Sequence, residues 1–347
     1  MTDYAQRVTE IVEAFERGEI EDTWEQHATE SSKFKGPMVK NWWPTLDGWI
    51  GRTRRVTQSM RVTDDPPTAR AVLSGESGEA VVTILFDDDG KITNFGVTDW
   101  PLILGIRNVQ IDCPGGTVPQ IAKLYAALLG IPFPEKHEPN WIVIAKDRWT
   151  KPSLPFAGQA PEWKPAAWGD PGRQQQMHLE FFVRDMSEAS GLVEAHGATR
   201  VDDDVWLDPA GHAIRLEPGA SGDVPGVIAR IVLDCDDPRA LAPFYEELLG
   251  MTNRVEDAPD RVVIAYEGGP LPMLTFRRVP GHSPPRWPDP EHPQQMHIDM
   301  MFEDSHAAMR VAERLGAVRL PPPVPWSHPD VYADPAGHPF CLGFPGQ

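Results

Sequence analysis

The feature that most constrains this chain is an internal repeat. "VQIDCPGGTVPQIAKLYAALLG" from Val109 recurs as "IVLDCDDPRALAPFYEELLG" from Ile231. "QQMHLE" (Gln175–Glu180) recurs as "QQMHID" (Gln294–Asp299), and "DDDVWLDPAGHAIRLEP" from Asp202 recurs as "HPDVYADPAGHPFCLGF" from His328. The three matches are collinear and nearly evenly offset. Such a chain must fold as two copies of one unit, here 105–219 and 226–347. The Gly/Pro/Ser stretch Pro218–Gly226 reads as the linker between them.

Each copy has the same internal rhythm. A β-branched run leads into a helix with apolar Leu124, Tyr125, Leu128 and Leu129, or Phe244, Tyr245, Leu248 and Leu249. Gly130 and Gly250 stop these helices. Short strands follow, and "MHLEFFV" opens a second cycle, in which Asp185 and Glu188 form the pattern of a capping box. Residues 1–100 differ. Val8, Ile11, Val12 and Phe15 mark one helix face, three strand-like runs follow, and "DDDGK" supplies a hairpin turn. The fold class expected is α+β.

The pattern of "LDC", "FYEELLG", "MHID" and "DPAGH" resembles glyoxalase-like domains of the vicinal oxygen chelate superfamily. The resemblance covers both copies, about two thirds of the chain. It implies two units of paired βαβββ motifs around ligand clefts. The first 100 residues resemble a small NTF2-like domain, which implies a pocket-bearing cone.

Metal-using members of that superfamily carry ligands at four strand positions. Transferred within each copy, these fall near Asn108, near Ala157, and on His178 and Arg215 in the first. In the second they fall on Arg230, Arg277, His297 and Cys341. A catalytic divalent ion wants three protein ligands and an open position, and guanidinium groups repel it. Counted this way neither copy holds a metal, and no cofactor is expected. His178 with Glu180, and His297 with Asp299, are then candidate catalytic pairs in metal-free clefts. A bland alternative is that each histidine is a buried residue of the fold.

Trp168, Trp206 and Trp287, with Arg215, Arg277 and Cys341, are candidate ligand contacts. Trp163 also sits in a Pro-rich loop suited to a cleft wall. The first copy, with His178, Glu180, Arg215 and Trp206, has the richer set. The "DPAGH" turns read as hairpin connections, with His212 and His338 expected at exposed exits.

The formal charge of −19 argues against nucleic-acid or anionic-membrane partners. Three unpaired-looking cysteines, Cys113, Cys235 and Cys341, suit a reducing compartment. No signal-like N-terminus or membrane-length apolar run is visible, so a cytoplasmic location is expected. P-loop, dinucleotide and nucleophile-elbow motifs are missing. The expected function is binding or modification of a hydrophobic or aromatic metabolite or antibiotic. The competing readings are a metal-dependent lyase, isomerase or dioxygenase, and a scaffold that forms a homodimer through its N-terminal domain.

Overall fold

A computed structural model describes the chain except residues 1–2, 31, 33–34, 65–66, 78, 100–104, 147–151, 160–162, 165–172, 221, 269–270, 287–291, 303–304, 321–330 and 344–347. Two compact units result. One is Met1–Gly105 with Met301–Ala308 and Gly343–Gln347; the other is Ile106–Met300 with Met309–Leu342.

The N-terminal unit begins with α1 (Tyr4–Glu16), α2 (Ile20–His27), α3 (Gly36–Trp42), a 3-10 turn (Trp43–Leu46) and α4 (Asp47–Ile50). Asp3 caps α1 by accepting from the Ala5 and Gln6 amides, and Val8, Ile11, Val12 and Phe15 are buried as their spacing predicts. Strands β1 (Arg55–Asp64), β2 (Pro67–Ser74), β3 (Glu79–Phe86) and β4 (Ile92–Asp99) form an antiparallel meander. Phe15 packs edge-on to Trp43 and Phe95, with ring centroids 5.1 and 6.1 Å away. Trp43 is therefore a core residue, and its indole N–H donates to Glu16 at 2.8 Å.

From Gly105 onward the chain holds four modules. The first is β5 (Gly105–Pro114), α5 (Val118–Leu129), β6 (Trp141–Ile144) and β7 (Leu154–Gln159). The second is β8 (Met177–Val183), α6 (Met186–Ala195), β9 (Thr199–Arg200), β10 (Val205–Leu207) and β11 (Ala213–Pro218). The third is β12 (Gly226–Cys235), α7 (Pro238–Leu249), β13 (Asn253–Asp257), β14 (Arg261–Ala265) and β15 (Met273–Arg278). The fourth is β16 (Met296–Met301), α8 (Ser305–Arg314), β17 (Val318–Arg319), β18 (Val331–Ala333) and β19 (Pro339–Gly343). Local signals act as read: Gly130 and Gly250 end their helices at φ +64° and +71°, where other residues are strained. Asp185 caps α6 by accepting from the Glu188 amide, but the Glu188 side chain turns to Arg184, so only half the capping box forms.

Neither sequence copy makes a sheet of its own. An eight-stranded sheet runs β13-β14-β15-β12-β8-β11-β10-β9, joining the second module to the third. A seven-stranded sheet runs β17-β18-β19-β16-β5-β7-β6, joining the first to the fourth. The second glutamine of each QQMH segment ties the copies together. The Gln176 amide N–H donates to the Gln295 side chain at 3.0 Å, and the Gln176 side chain donates to the Pro293 carbonyl. The Asp112 amide donates to the Gln295 carbonyl, and the Asp234 amide to the Gln176 carbonyl.

His212 and His338 are not exposed turn exits; both are buried. In each copy the turn aspartate collects its own backbone N–H groups, the histidine Nδ1 and a tyrosine hydroxyl from α5 or α7: Asp208 with His212 and Tyr125, Asp334 with His338 and Tyr245. Among the described residues no helix is long and apolar enough to cross a membrane.

Candidate functional site

The swapped sheets regroup the four-position sets. Arg230 and Arg277 of the second copy join His178 and Arg215 of the first on the eight-stranded sheet. Asn108 of the first joins His297 and Cys341 of the second on the seven-stranded sheet. A ligand count made within each copy is therefore replaced by a count within each sheet.

On the eight-stranded sheet, Glu180 lies beside Arg215 on one neighbouring strand and Arg230 on the other. It is 1% exposed and accepts from Arg230 at 2.8 Å and Arg261 at 3.1 Å. Burial opposes its charge, but His178 and these guanidinium groups outweigh that and hold the carboxyl well below the usual range. Arg277 forms a bidentate pair with Asp234 at 2.8 and 2.7 Å, and Arg215 pairs with Asp204 at 2.6 Å. Four guanidinium groups against an internal set of carboxylates leave no place for a metal ion. They also commit Glu180, which makes it a poor general base.

Strand alternation corrects the expectation for Trp206. It pairs with Ile214, whereas Arg215 pairs with Glu180, so Trp206 stands on the opposite face. It is 0% exposed and its indole N–H donates to Glu194 of α6 at 3.0 Å. Trp163 is also buried, donating to the Gln294 carbonyl at 3.2 Å. Trp168 and Trp287 lie outside the described residues.

On the seven-stranded sheet, β16 turns Met296, Ile298 and Met300 into the core and His297 and Asp299 the other way. His297 Nε2 is 3.2 Å from Asp299 Oδ1, and Asn108 donates to Asp299 Oδ2 at 2.8 Å. Ser153 Oγ donates to Asn108 Oδ1 at 2.6 Å, which fixes that side-chain amide's orientation. Cys341, on the adjacent β19, completes the cluster. One donor atom each from His297, Asp299 and Cys341 lies within 4.8 Å of the others. Burial pushes the Cys341 thiol up, while the His297 ring draws it down. For Asp299 burial is outweighed by His297 and Asn108, which keep the carboxyl low and ionised.

The same face carries an apolar patch. Trp141 pairs with Ala157, which pairs with Asp112; Val143 pairs with Pro155. Trp141 and Val143 are 46% and 42% exposed. A separate depression of about 540 Å³, which includes Lys123 and His196, lies between α5 and α6, away from both polar centres.

The three donor types suit a borderline divalent ion. The surroundings of His297 do not. Its Nδ1 faces the Gln294 amide nitrogen at 3.2 Å, and that nitrogen also donates to Asp112 Oδ2 at 2.7 Å. A ligating imidazole instead gives its second N–H to an acceptor. Asp112, Gln294 and Arg261 are site residues that the sequence does not single out. Gln294 was legible as part of the repeated QQMH; the others emerge from strand pairing.

Paired modules of this strand order, with one polar centre on each sheet, define a glyoxalase-like protein. The model of the glyoxalase-like domain matches residues 108–217 and 230–343, and the chain belongs to that family. It is similar to glyoxalase I from Zea mays (14% identity, 68% of this chain and 90% of that one, TM-score 0.48). It is also similar to a putative dioxygenase from Bacillus subtilis subsp. subtilis str. 168 (15%, 70% and 85%, TM-score 0.48). The 2,3-dioxygenase LapB from Pseudomonas sp. KL28 is a more remote likeness (13%, 71% and 94%, TM-score 0.26). No curated protein matches the chain.

Proposed function

We propose that this chain binds or modifies a small organic molecule on the open face of its seven-stranded sheet, without a metal. One observation carries the reading: a part-exposed, ionised Asp299, held by His297 and Asn108, shares its sheet face with the exposed patch of Trp141 and Val143. A carboxylate offers about four acceptor positions, and the described protein donors leave room for more. The ligand chemistry that fits is an aromatic or hydrophobic body bearing an N–H or O–H donor. The expected emphasis on the first copy's set gives way here, because Glu180 and Arg215 are committed to each other's neighbourhood of ion pairs.

The metal-dependent lyase, isomerase or dioxygenase is the second reading, favoured by the spacing of His297, Asp299 and Cys341. If an ion bound there, those three would hold it and it would supply Lewis acidity. Elemental analysis and thermal shift against phenols and aromatic amines, with and without chelator, separate the two. Ligand-induced stabilisation that survives chelation and is lost in Asp299→Asn supports the first reading. Stoichiometric metal, with stabilisation that chelator removes, refutes it.

The NTF2-like reading of the N-terminal unit, a cytoplasmic location and a homodimer belong to the same proposal. Helices ahead of a four-stranded antiparallel meander support the first of these. The charge of −19 makes nucleic acid an unsuitable partner.

A further inference from the structure

We infer that Asp112 and Gln294 are positioning residues that fix the tautomer of His297, placing its proton on Nε2 and so closing that nitrogen to a divalent ion. This rests on the seven-stranded face being the working site. Asp112 accepts from Gln110 Nε2 on one carboxylate oxygen and from Gln294 Nε2 on the other, at 3.0 and 2.7 Å. Burial presses Asp112 toward its neutral form, while the His297 ring, Gln110 and Gln294 favour its charge; ionised, it only accepts, and the Gln294 atom facing it is then the amide nitrogen. That nitrogen has hydrogens and no lone pair to offer, so His297 Nδ1, 3.2 Å away, must be the acceptor. Burial favours the neutral ring, while Cys341 and Asp299 favour the charged one; the Gln294 N–H facing Nδ1 opposes a proton there, and a ring that accepts at Nδ1 carries its proton on Nε2. Asp299 Oδ1, 3.2 Å from Nε2, receives it.

A metal at Nε2 needs the opposite tautomer, with Nδ1–H given to an acceptor. Turning the Gln294 amide to offer one would set its oxygen against Asp112. The segment is also held from behind, by the Trp163 indole N–H on the Gln294 carbonyl.

The fold does not impose this relay. At the corresponding place in the other sheet, Gln175 donates to the Gly211 carbonyl and accepts from the Ala213 amide. Asp234 there pairs with Arg277, and His178 Nδ1 has no hydrogen-bond partner among the described residues. The same glutamine, two copies of one motif, orients an imidazole in one sheet and a turn in the other.

Two measurements test the relay without a ligand. Long-range ¹H–¹⁵N spectra of the wild-type protein should show the His297 ring protonated at Nε2 and unprotonated at Nδ1, assigned by the signals lost in His297→Gln. Cobalt(II) titration should give no thiolate-to-metal band in wild type. Asp112→Asn with Gln294→Glu gives Nδ1–H an acceptor and that acceptor a donor. This variant should bind cobalt roughly 10–100-fold more tightly, with the band lost in a further Cys341→Ser. An Nδ1–H tautomer in wild type, or wild-type cobalt affinity equal to the variant's, overturns the inference. If the double variant fails to fold, the wild-type spectrum decides alone. A protein that shows the Nε2–H tautomer but binds no aromatic donor sinks the proposed function and leaves this inference standing.

Discussion

Replacing Asp334 by alanine removes the acceptor for four donors. Oδ1 takes the amides of Ala336 and His338 at 2.8 and 2.9 Å; Oδ2 takes His338 Nδ1 and the Tyr245 hydroxyl, both at 2.9 Å. The carboxylate is buried and so is His338, whose Nε2 reaches the Asp234 carbonyl at 2.9 Å. Each donor left unsatisfied costs about 1–3 kcal/mol, but the turn relaxes and the imidazole can shed its charge. Breaking a buried pair from one side costs about 3–5 kcal/mol in total, the magnitude expected for Asp334→Ala. Asp334→Asn retains an oxygen for the two amides and should cost less, about 1–2 kcal/mol for the lost charge-assisted bonds. Urea unfolding followed by tryptophan fluorescence measures both. A cost below about 1 kcal/mol for the alanine variant, or equal costs for the two variants, would refute the reasoning.

The pH dependence of that stability has a definite sign. Burial opposes the charge on Asp334, but His338, the turn amides and Tyr245 outweigh it and hold the carboxyl low. Its contribution is present above about pH 4 and lost as pH falls through the lowered folded value. Burial likewise opposes the charge on His338, and Asp334 outweighs it, so the ring is held above its ordinary value. That contribution is full below about pH 6.5 and lost as pH rises through the raised folded value. Wild type minus Asp334→Asn should therefore be largest between those limits.

Glu180→Ala leaves Arg230 and Arg261 facing each other without their shared acceptor, and should destabilise by about 3 kcal/mol. Its rescue by a metal-free anion such as formate, seen as a rise in Tm, would confirm an electrostatic cause; an unchanged Tm in Glu180→Ala itself would refute it. Gly130→Ala should cost more than Gly250→Ala, although both glycines have positive φ. An added Cβ at Gly130 meets Pro225 Cδ at 2.9 Å, while at Gly250 it meets nothing within 4 Å. About 1 kcal/mol is expected at Gly250 from backbone strain alone, and equal melting shifts would sink the comparison. Trp141→Ala should weaken binding of an aromatic ligand at least tenfold in calorimetry while leaving Tm nearly unchanged, because the side chain is almost half exposed.

Much of the fold is written locally. Helix α1 is legible because Val8, Ile11, Val12 and Phe15 share a face and Asp3 can accept its first amides. Helices α5 and α7 end where glycine alone tolerates a positive φ. The burial of His212 and His338 is not legible in the sequence, because the aspartates that hold them are tied to Tyr125 and Tyr245, more than 80 residues away. The face that Trp206 takes is hidden for a simpler reason. A strand shows two faces, and only the pairing of Trp206 with Ile214, and of Arg215 with Glu180, says which residue stands on which face.

By itself the sequence determined the repeat, the α+β class, the helix ends and the likeness of QQMH in both copies. These depend on spacings of a few residues, or on the chain's resemblance to itself. Only the tertiary structure decided which copies share a sheet, and with that the content of each site. Pairing β5 with β16 and β8 with β12 sends Asn108 to Asp299 and Arg230 to Glu180. The cause is the strand edge: each module must find a partner for its unpaired N–H and C=O groups, and the partner that satisfies them comes from the other copy. The two histidine–carboxylate pairs of one motif thereby acquire different neighbours: Arg230 and Arg261 on Glu180 in one sheet, Asn108 on Asp299 and Gln294 beside His297 in the other.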